Sequence, residues 1–311
     1  MIYFLSIIWI ISALFCLLTR KPIRIVVYLG IFSALAAVSF FVLGAPDIAM
    51  AEIAVSSFAT IFLIVSFEKY FSIVSEAPSH YQQRERVSSR IKNLSIPVCF
   101  TLLLFGLFVY FIPDVNVNTY LKDMYLAGFQ SAVGGENAVT SIYLGYRMYD
   151  TLFEALMLLV SVVAATHMSC YTEHDETDVH IEGGQKPGLV EVYTIRIICP
   201  LMLFFGIYLV YNGHISPGGG FQGGVAIASF FICRFLLQNR YDLHVTKLLA
   251  MEKLVFAAIA MLAIGFIFLG VYVRFPEARE VYLIMMNMLI AMKVACGFVI
   301  IFYRYVAYER R

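Results

Sequence analysis

Long apolar runs, separated by short polar stretches, fill most of this chain. An α-helix rises 1.5 Å per residue, so about 20 mainly apolar residues are needed to cross the hydrocarbon core of a bilayer. Nine runs approach that length, and they centre on residues 2–18, 25–43, 49–67, 95–112, 150–168, 193–211, 221–236, 253–273 and 281–303. The pattern predicts an all-α, polytopic integral membrane protein with about nine transmembrane helices.

The composition supports a membrane protein and excludes several other classes. Of the 311 residues, 61% are hydrophobic and 14% are charged, and the mean hydropathy is +0.83. Soluble domains hold about a quarter charged residues. A formal charge of +1 offers no basic surface to nucleic acid, so we expect lipid around the chain and no nucleic-acid partner. The six cysteines form no C-x-x-C pair, so neither a disulfide framework nor a zinc site is indicated, and we expect no metal or cofactor bound by this chain.

The distribution of basic residues predicts an orientation. The first apolar run has no basic residue before it and no small-residue cleavage site, so we interpret it as a membrane helix rather than a signal peptide. An odd number of spans places the termini on opposite sides. With the N-terminus outside, most lysines and arginines fall on the cytoplasmic side, as the positive-inside rule requires. We therefore expect a cytoplasmic C-terminus.

Two polar stretches divide the chain into units of three, two and four helices. Residues 70–93 are basic and residues 171–188 are acidic. The predicted units are therefore 1–93, 94–188 and 189–311. Neither stretch is long enough to bury a core of its own, so no soluble domain is expected.

Two carboxylates occupy the start of the third span. Asp47 follows a Gly-Ala-Pro turn and is interpreted either as the N-cap of the helix or as an ion ligand. Glu52, Ser56 and Thr60 recur every four residues and so form one polar stripe on an apolar helix. Because ionisable groups inside a membrane are costly and mark ion or proton paths, Glu52 is a candidate proton-path residue.

A second charged group lies at the start of the fifth span. The spacings of Arg147, Asp150 and Glu154 place all three on one helix face. We expect an ion pair between Arg147 and Asp150 at the outer surface. Glu154 lies deeper, on the face that continues to Ser161, and is the second candidate proton-path carboxylate.

The segment GHISPGGGFQGG is the most unusual in the chain. It contains a G-x-G-x-x-G match, but a membrane-length helix precedes it instead of the strand of a nucleotide-binding unit. Glycine and proline here predict irregular backbone and close helix contacts, with tight packing alone and an ion or water site as the alternatives. His214 either makes an interfacial hydrogen bond or titrates on a proton path. The predicted structural loop consists of Gly213, Pro217, Gly218, Gly219, Gly220, Gly223 and Gly224.

A lysine lies midway along the last span. Lys293 is roughly 15 Å from either end of its helix, too far for its ammonium group to reach the interface, so it must face protein or water. Its role is either a permanent ion pair or proton exchange. We favour proton exchange, because burial disfavours the charge while a nearby carboxylate favours it.

These segments carry a resemblance to a known family. GHISPGGGFQGGV and NMLIAMKVACGF resemble the MrpB subunit of the Mrp-type multisubunit cation/proton antiporters, over about residues 190–311. GAPDIAMAEIAVSSFATIFL resembles the MbhD-like unit of the large MrpA subunit and of membrane-bound hydrogenases. NAVTSIYLGYRMYDTLFEALMLL resembles the MbhE-like unit that follows it, although YRMYDT stands where the family has a Phe-Arg-Gly-Phe-Asp-Thr run.

The resemblance implies a fusion of these three units in one membrane subunit. Such a subunit belongs to a complex of the prokaryotic cytoplasmic membrane that exchanges Na⁺ for H⁺, free-standing or joined to a hydrogenase-like or sulfur-reductase-like redox arm. The implied partners are Mrp A-, C-, D-, E-, F- and G-like subunits and, where an arm is attached, redox subunits. Either the chain lines part of the ion path, or it is a scaffold that holds antiporter-like subunits together. The candidate path residues are Glu52, Glu154, Lys293, Asp47 and His214.

Overall fold

Most of the part of the chain that the structure describes is helical. The computed structural model describes residues 2–19, 22–75, 99–107, 110, 119–168, 189–238, 245–268, 275 and 277–308. The helices are α1 (Ile2–Leu18), α2 (Pro22–Val42), α3 (Pro46–Ser75), α4 (Tyr120–Gly128), α5 (Ala138–Ser141), α6 (Met148–Met168), α7 (Leu189–Asn212), α8 (Gly220–Gln238), α9 (Val245–Phe268) and α10 (Ala278–Tyr308). Two π-helical turns, Phe129–Val133 and Ile142–Tyr146, flank α5. The prediction of an all-α polytopic membrane protein is confirmed.

Six of these helices are long and apolar enough to cross a membrane. They contain the stretches Arg24–Val42, Pro46–Ile64, Met148–Met168, Val192–Asn212, Val245–Phe266 and Ala278–Tyr305. The apolar parts of α1 and α8, Ile7–Leu18 and Gly220–Phe235, are shorter. Together these eight correspond to eight of the nine predicted runs. The fourth run, 95–112, lies partly outside the described residues, and its residues 99–107 are helical.

Two helices extend well beyond the predicted apolar runs. Helix α9 begins at Val245, eight residues before the predicted start at 253, because charged residues in this stretch do not interrupt its helical spacing of apolar positions. Helix α3 continues to Ser75, across the start of the predicted basic stretch at 70. The rest of that stretch and the acidic stretch 171–188 lie outside the described residues. The predicted unit boundaries at 93 and 188 do so too, and the three-unit division stays a prediction.

Residues Met1–Val65 and Tyr125–Arg311 form one compact unit, and Ser66–Met124 form another. In the first, α10 packs against α6, α7, α8 and α9, while α8 also packs against α7. The core between α9 and α10 includes a stacked pair of rings, Phe266 and Tyr282, with centroids 3.7 Å apart. This packing buries one broad face of α10, so polar side chains on that face must find partners within the chain.

Candidate functional site

A fully buried ion pair joins α9 to α10. Lys293 is 1% exposed and Glu252 is 0% exposed, and the Lys293 ammonium donates a short hydrogen bond to Glu252 Oε1. The ring of Phe256, one turn beyond Glu252, has its centroid 5.0 Å from Lys293 Nζ, which adds a cation–π contact. Glu252 Oε2 is buried and has no hydrogen-bond partner within the described part of the chain. The pair therefore keeps one unused acceptor atom in the protein interior.

The sequence pattern did not reveal Glu252, because the predicted helix began one residue too late. A detectable signal was present, since Val245, Glu252, Val255 and Ile259 are buried and lie at helical spacing on one face. A carboxylate within that stripe has to be buried. The prediction that Lys293 faces protein or water instead of lipid agrees with the structure, in which its side chain is buried within the protein.

A second polar cluster surrounds the carboxylate of Asp47. Asp47 is the second residue of α3 and is 9% exposed. Its Oδ1 accepts hydrogen bonds from Asn137 Nδ2, at 2.9 Å, and from the Gly218 amide, at 3.2 Å. The interpretation of Asp47 as an N-cap is wrong, because these bonds reach residues 90 and 171 positions away instead of its own helix.

Asn137 connects this carboxylate to two other segments. Its Oδ1 accepts from the Val139 amide, at 2.9 Å, and so caps α5. Its Nδ2 also lies 3.0 Å from the carbonyl oxygen of Ser216. In addition, Thr140 Oγ1 donates to the Gly213 carbonyl at 2.5 Å. Asp47, α5 and residues 213–219, which we name the glycine-rich turn, are therefore held by one hydrogen-bond network.

Two glycines give this turn its backbone shape. Gly218 and Gly219 have φ angles of 148° and 142°, in the region that L side chains rarely adopt. Gly213 lies so close to the Gly219 backbone that a Cβ on Gly213 would be 2.7 Å from Gly219 Cα. Pro217 is exposed at the edge of the turn. The three glycines are buried, and a side chain at any of them would disturb the turn.

The following glycines bring α8 into direct backbone contact with its neighbours. A Cβ on Gly220 would lie 2.6 Å from the Asn287 carbonyl oxygen, and one on Gly224 would lie 2.7 Å from that of Ala291, both on α10. A Cβ on Gly223 would lie 2.7 Å from the Gly206 carbonyl oxygen on α7. These contacts are the close approach that small residues permit in membrane helices.

Asn287 of α10 holds the start of α8. Its Oδ1 accepts from the Gly220 amide, at 3.1 Å, and from the Tyr143 hydroxyl, at 3.0 Å. Because Gly220 is the first residue of α8, this bond satisfies one amide that the helix cannot satisfy itself. Neither Asn137 nor Asn287 was predicted as a site residue, since each asparagine acts through partners far away in the sequence.

The two other candidate carboxylates lie in different surroundings. Glu52 is half-buried on α3 and accepts a short hydrogen bond from Ser33 Oγ of α2. Glu154 is exposed on α6, between the exposed side chains of Phe153 and Met157. The structure therefore brings Asp47, His214 and the glycines into one region, while Glu52 and Glu154 each lie elsewhere.

The predicted ion pair at the start of the fifth span is confirmed. The guanidinium group of Arg147 contacts the Asp150 carboxylate, and both side chains are largely exposed. This arrangement matches the surface ion pair expected from their spacing, and such exposed pairs contribute about 0–1 kcal/mol.

Comparisons with protein families identify two parts of the chain. Residues 190–307 match the model described as a domain related to the MnhB subunit of Na⁺/H⁺ antiporters. Residues 7–70 match the model of MbhD, which is a subunit of MBH. The chain thus contains an MbhD-like unit and a domain related to the MnhB subunit, as the resemblance implied. The MbhE-like unit stays a prediction.

Two relatives from curated proteins match about half of the chain each. The uncharacterized protein MJ1307 of Methanocaldococcus jannaschii is 29% identical over 155 residues, which cover 45% of this chain and 57% of that protein. A Staphylococcus aureus protein named "Putative antiporter subunit mnhA2" is 26% identical over 157 residues, which cover 50% of this chain and 18% of that protein. The chain therefore spans little more than half of the first relative and less than a fifth of the second.

Two solved structures share the fold. The Mrp complex from Dietzia sp. DQ12-45-1b contains a chain that superimposes with a TM-score of 0.69 at 18% identity, covering 95% of this chain and 34% of that one. An archaeal respiratory membrane complex, the membrane-bound sulfane sulfur reductase, contains a chain with a TM-score of 0.55 at 22% identity, covering 71% of this chain and 98% of that one. At these identities the likeness concerns the fold.

Proposed function

We propose that this chain is a membrane subunit of a multisubunit Na⁺/H⁺ antiporter module of the Mrp type. It works in the prokaryotic cytoplasmic membrane with other antiporter-like subunits, in a free-standing complex or in one that carries a redox arm. Na⁺ and H⁺ are the transported ions. The MnhB-related and MbhD matches support this assignment, as do the relative named as an antiporter subunit and the fold shared with chains of two multisubunit membrane complexes.

The buried pair of Lys293 and Glu252 is the observation that best supports a function of this chain in ion translocation. Burying two charges costs several kcal/mol per ion, and a buried pair often stabilises a protein no better than apolar side chains would. Ionisable groups inside membrane spans most often belong to ion or proton paths. Lys293 and Glu252 are ionisable groups of this kind, and Glu252 Oε2 beside them is an unused acceptor atom.

The electrostatics of the pair explain how it can respond to ions. The Lys293 ammonium and the Glu252 carboxylate are in direct contact and attract each other strongly in the protein interior. A cation that reaches Glu252 competes with the ammonium group for the carboxylate. This competition links the passage of a cation to the state of the ion pair.

An exposed carboxylate between apolar side chains supports assembly with other subunits. Glu154 is exposed in the first half of α6 beside Phe153 and Met157, which are 63% and 64% exposed. A carboxylate on such a surface is costly against lipid tails. We infer that a neighbouring subunit of the complex covers this part of α6 and supplies polar or basic groups to Glu154.

A scaffold function is the second candidate, and the network around Asp47 favours it. Asp47, Asn137 and Gly218 are distant in the sequence and are joined by two hydrogen bonds. Such a network fixes helices relative to one another and needs no ion of its own. The two functions make different predictions for variants that assemble normally. Such variants should lose transport if the altered residue belongs to the ion path, and should keep it if the residue belongs only to a scaffold.

Vesicle transport tests the proposed function. Inverted membrane vesicles from cells that lack this chain should lose sodium-dependent proton movement, and expression of the chain should restore it.

The Glu52→Gln variant should restore assembly but reduce transport about tenfold or more, because groups that transfer protons contribute about 10²–10⁴ in rate. Ser33→Ala is the matched control, because it removes the Glu52 partner while keeping the carboxylate. Full transport in assembled Glu52→Gln would favour a scaffold at that position.

Cysteine labelling tests the proposed orientation, with the N-terminus outside and the C-terminus cytoplasmic. In cells, an impermeant maleimide should label Lys122→Cys from outside and should reach Arg90→Cys only after the membrane is opened. The expected contrast is large, because the bilayer excludes the reagent. Labelling of both positions from the same side would contradict the orientation.

A further inference from the structure

Both ring nitrogens of His214 face oxygen atoms. The side chain is 3% exposed and lies in the glycine-rich turn. Its Nδ1 is 3.1 Å from the carbonyl oxygen of Tyr211, in the last turn of α7. Its Nε2 is 3.4 Å from Oε1 of Glu280, in the first turn of α10. Glu280 itself is 63% exposed, so this carboxylate can meet water while it touches the buried ring.

A neutral imidazole cannot satisfy both of these contacts. It carries one N–H, so a ring that donates to the Tyr211 carbonyl turns an unprotonated Nε2 towards the Glu280 carboxylate. The imidazolium form donates at both nitrogens, and its bond to a carboxylate is charge-assisted. Histidine is also the side chain whose charge ordinarily changes between about pH 5 and 8. We propose that His214 and Glu280 form a proton-binding site whose occupancy tightens the glycine-rich turn.

Several charged groups lie on the elements around the ring. From α10, Glu280 contacts the ring, and its neighbour Arg279 donates from Nη1 to the Ser131 carbonyl at 2.7 Å. The segment before α5 contributes Glu136, whose side chain is exposed, and α3 contributes Asp47. Helix α7 contributes a carbonyl dipole at Tyr211. The described elements around the ring therefore carry three carboxylates and one guanidinium group.

The backbone of the same histidine links the proton site to Asp47. The His214 carbonyl accepts hydrogen bonds from the amides of Glu136 and Asn137, both at 2.9 Å. Asn137 in turn donates to Asp47. When the ring is protonated, its bond to Glu280 joins the start of α10 to the glycine-rich turn, which holds this network. The contact is present while the ring is protonated and is lost as the pH rises and the ring becomes neutral.

Hydrogen–deuterium exchange of the purified complex tests this site without measuring transport. The amides of Glu136 and Asn137 report on the turn, because both donate to His214. After correction for the intrinsic pH dependence of exchange, a peptide over residues 134–140 should exchange about tenfold more slowly near pH 5.5 than near pH 8.5, the factor expected for one charge-assisted hydrogen bond. His214→Gln and Glu280→Gln should each abolish this pH dependence.

Matched variants make the result decisive. Glu277→Gln removes an exposed carboxylate three residues before Glu280 and should keep the full pH dependence. If His214→Gln does not assemble, Glu280→Gln decides, because its side chain is largely exposed. The same pH dependence in Glu280→Gln as in the natural sequence, or none in the natural sequence, would overturn the proton site.

The meaning of this site for transport rests on the proposed function, and the two can fail separately. If the complex exchanges Na⁺ for H⁺, Glu280→Gln should move the optimum of antiport to lower pH while the amount of complex is unchanged, because the protonated ring loses its carboxylate partner. A complex without antiport but with the exchange signature would refute the proposed function alone. Antiport with an unchanged pH profile and no exchange signature would refute the proton site alone.

Discussion

Lys293→Met should strongly reduce the amount of assembled protein, and a second change, Glu252→Leu, should restore it. The single variant leaves the Glu252 carboxylate buried without its ammonium partner. Removing one member of a buried ion pair costs about 3–5 kcal/mol, whereas replacing both by apolar side chains is often neutral or stabilising. Native gels of solubilised membranes should therefore show little complex for Lys293→Met and near-normal complex for Lys293→Met/Glu252→Leu.

A neighbouring lysine supplies the control. Lys253→Met changes the same residue type one position after Glu252, but Lys253 is exposed, so the amount of complex should stay the same. Equal assembly of Lys293→Met and the natural sequence would show that Glu252 finds another partner in the complex. No gain from the second change would show that the pair is needed for packing itself.

Gly224→Ala should also prevent normal assembly, through steric contact. The added methyl group would lie 2.7 Å from the Ala291 carbonyl oxygen and 2.8 Å from Val294 Cβ, so α8 and α10 would have to move apart. Overpacking of this kind typically costs about 1–3 kcal/mol. Displacement of α8 would also disturb the bond between the Gly220 amide and Asn287 Oδ1. Thermal melting of the detergent-solubilised complex measures the effect.

Gly106→Ala is the matched control for this substitution. Gly106 is also in a helical segment, but no residue that the structure describes lies within 4 Å of a Cβ built there. Alanine favours helix over glycine by about 1 kcal/mol, so this variant should melt at the same or a slightly higher temperature. If Gly224→Ala melts like Gly106→Ala, the close contact between α8 and α10 is not important for stability.

The sequence predicts most of the fold because membrane spans are local features. Apolar length alone located α1, α2 and α6 to within a few residues, since a bilayer requires each span to satisfy its own backbone hydrogen bonds. The start of α9 was missed because a hydropathy run ends at charged residues, whereas a helix continues through them. The short α4 and α5 and the two π-helical turns carry no comparable signal, because they are far shorter than a membrane span.

The site could be predicted in part. Lys293 was recognisable as a buried group because its distance from both helix ends rules out contact with water at the interface. Its partner could be inferred only with the correct register of α9. Asn137 and Asn287 could not be found from the sequence, since an asparagine before a short helix or within an apolar one has many uses. Their functions depend on Asp47 and Gly220, which lie 90 and 67 positions away.

Transport by the doubly substituted protein tests whether the ion path includes Lys293 and Glu252. Lys293→Met/Glu252→Leu should assemble but lack both charges of the pair, so uptake of radioactive sodium driven by a pH gradient into proteoliposomes should fall to background. Each preparation is compared at equal amounts of complex, with Lys253→Met as the active control. Loss of uptake in an intact complex is the predicted result. Sodium uptake at the natural rate would contradict an ion path through this pair, because ions would then cross without Lys293 and Glu252.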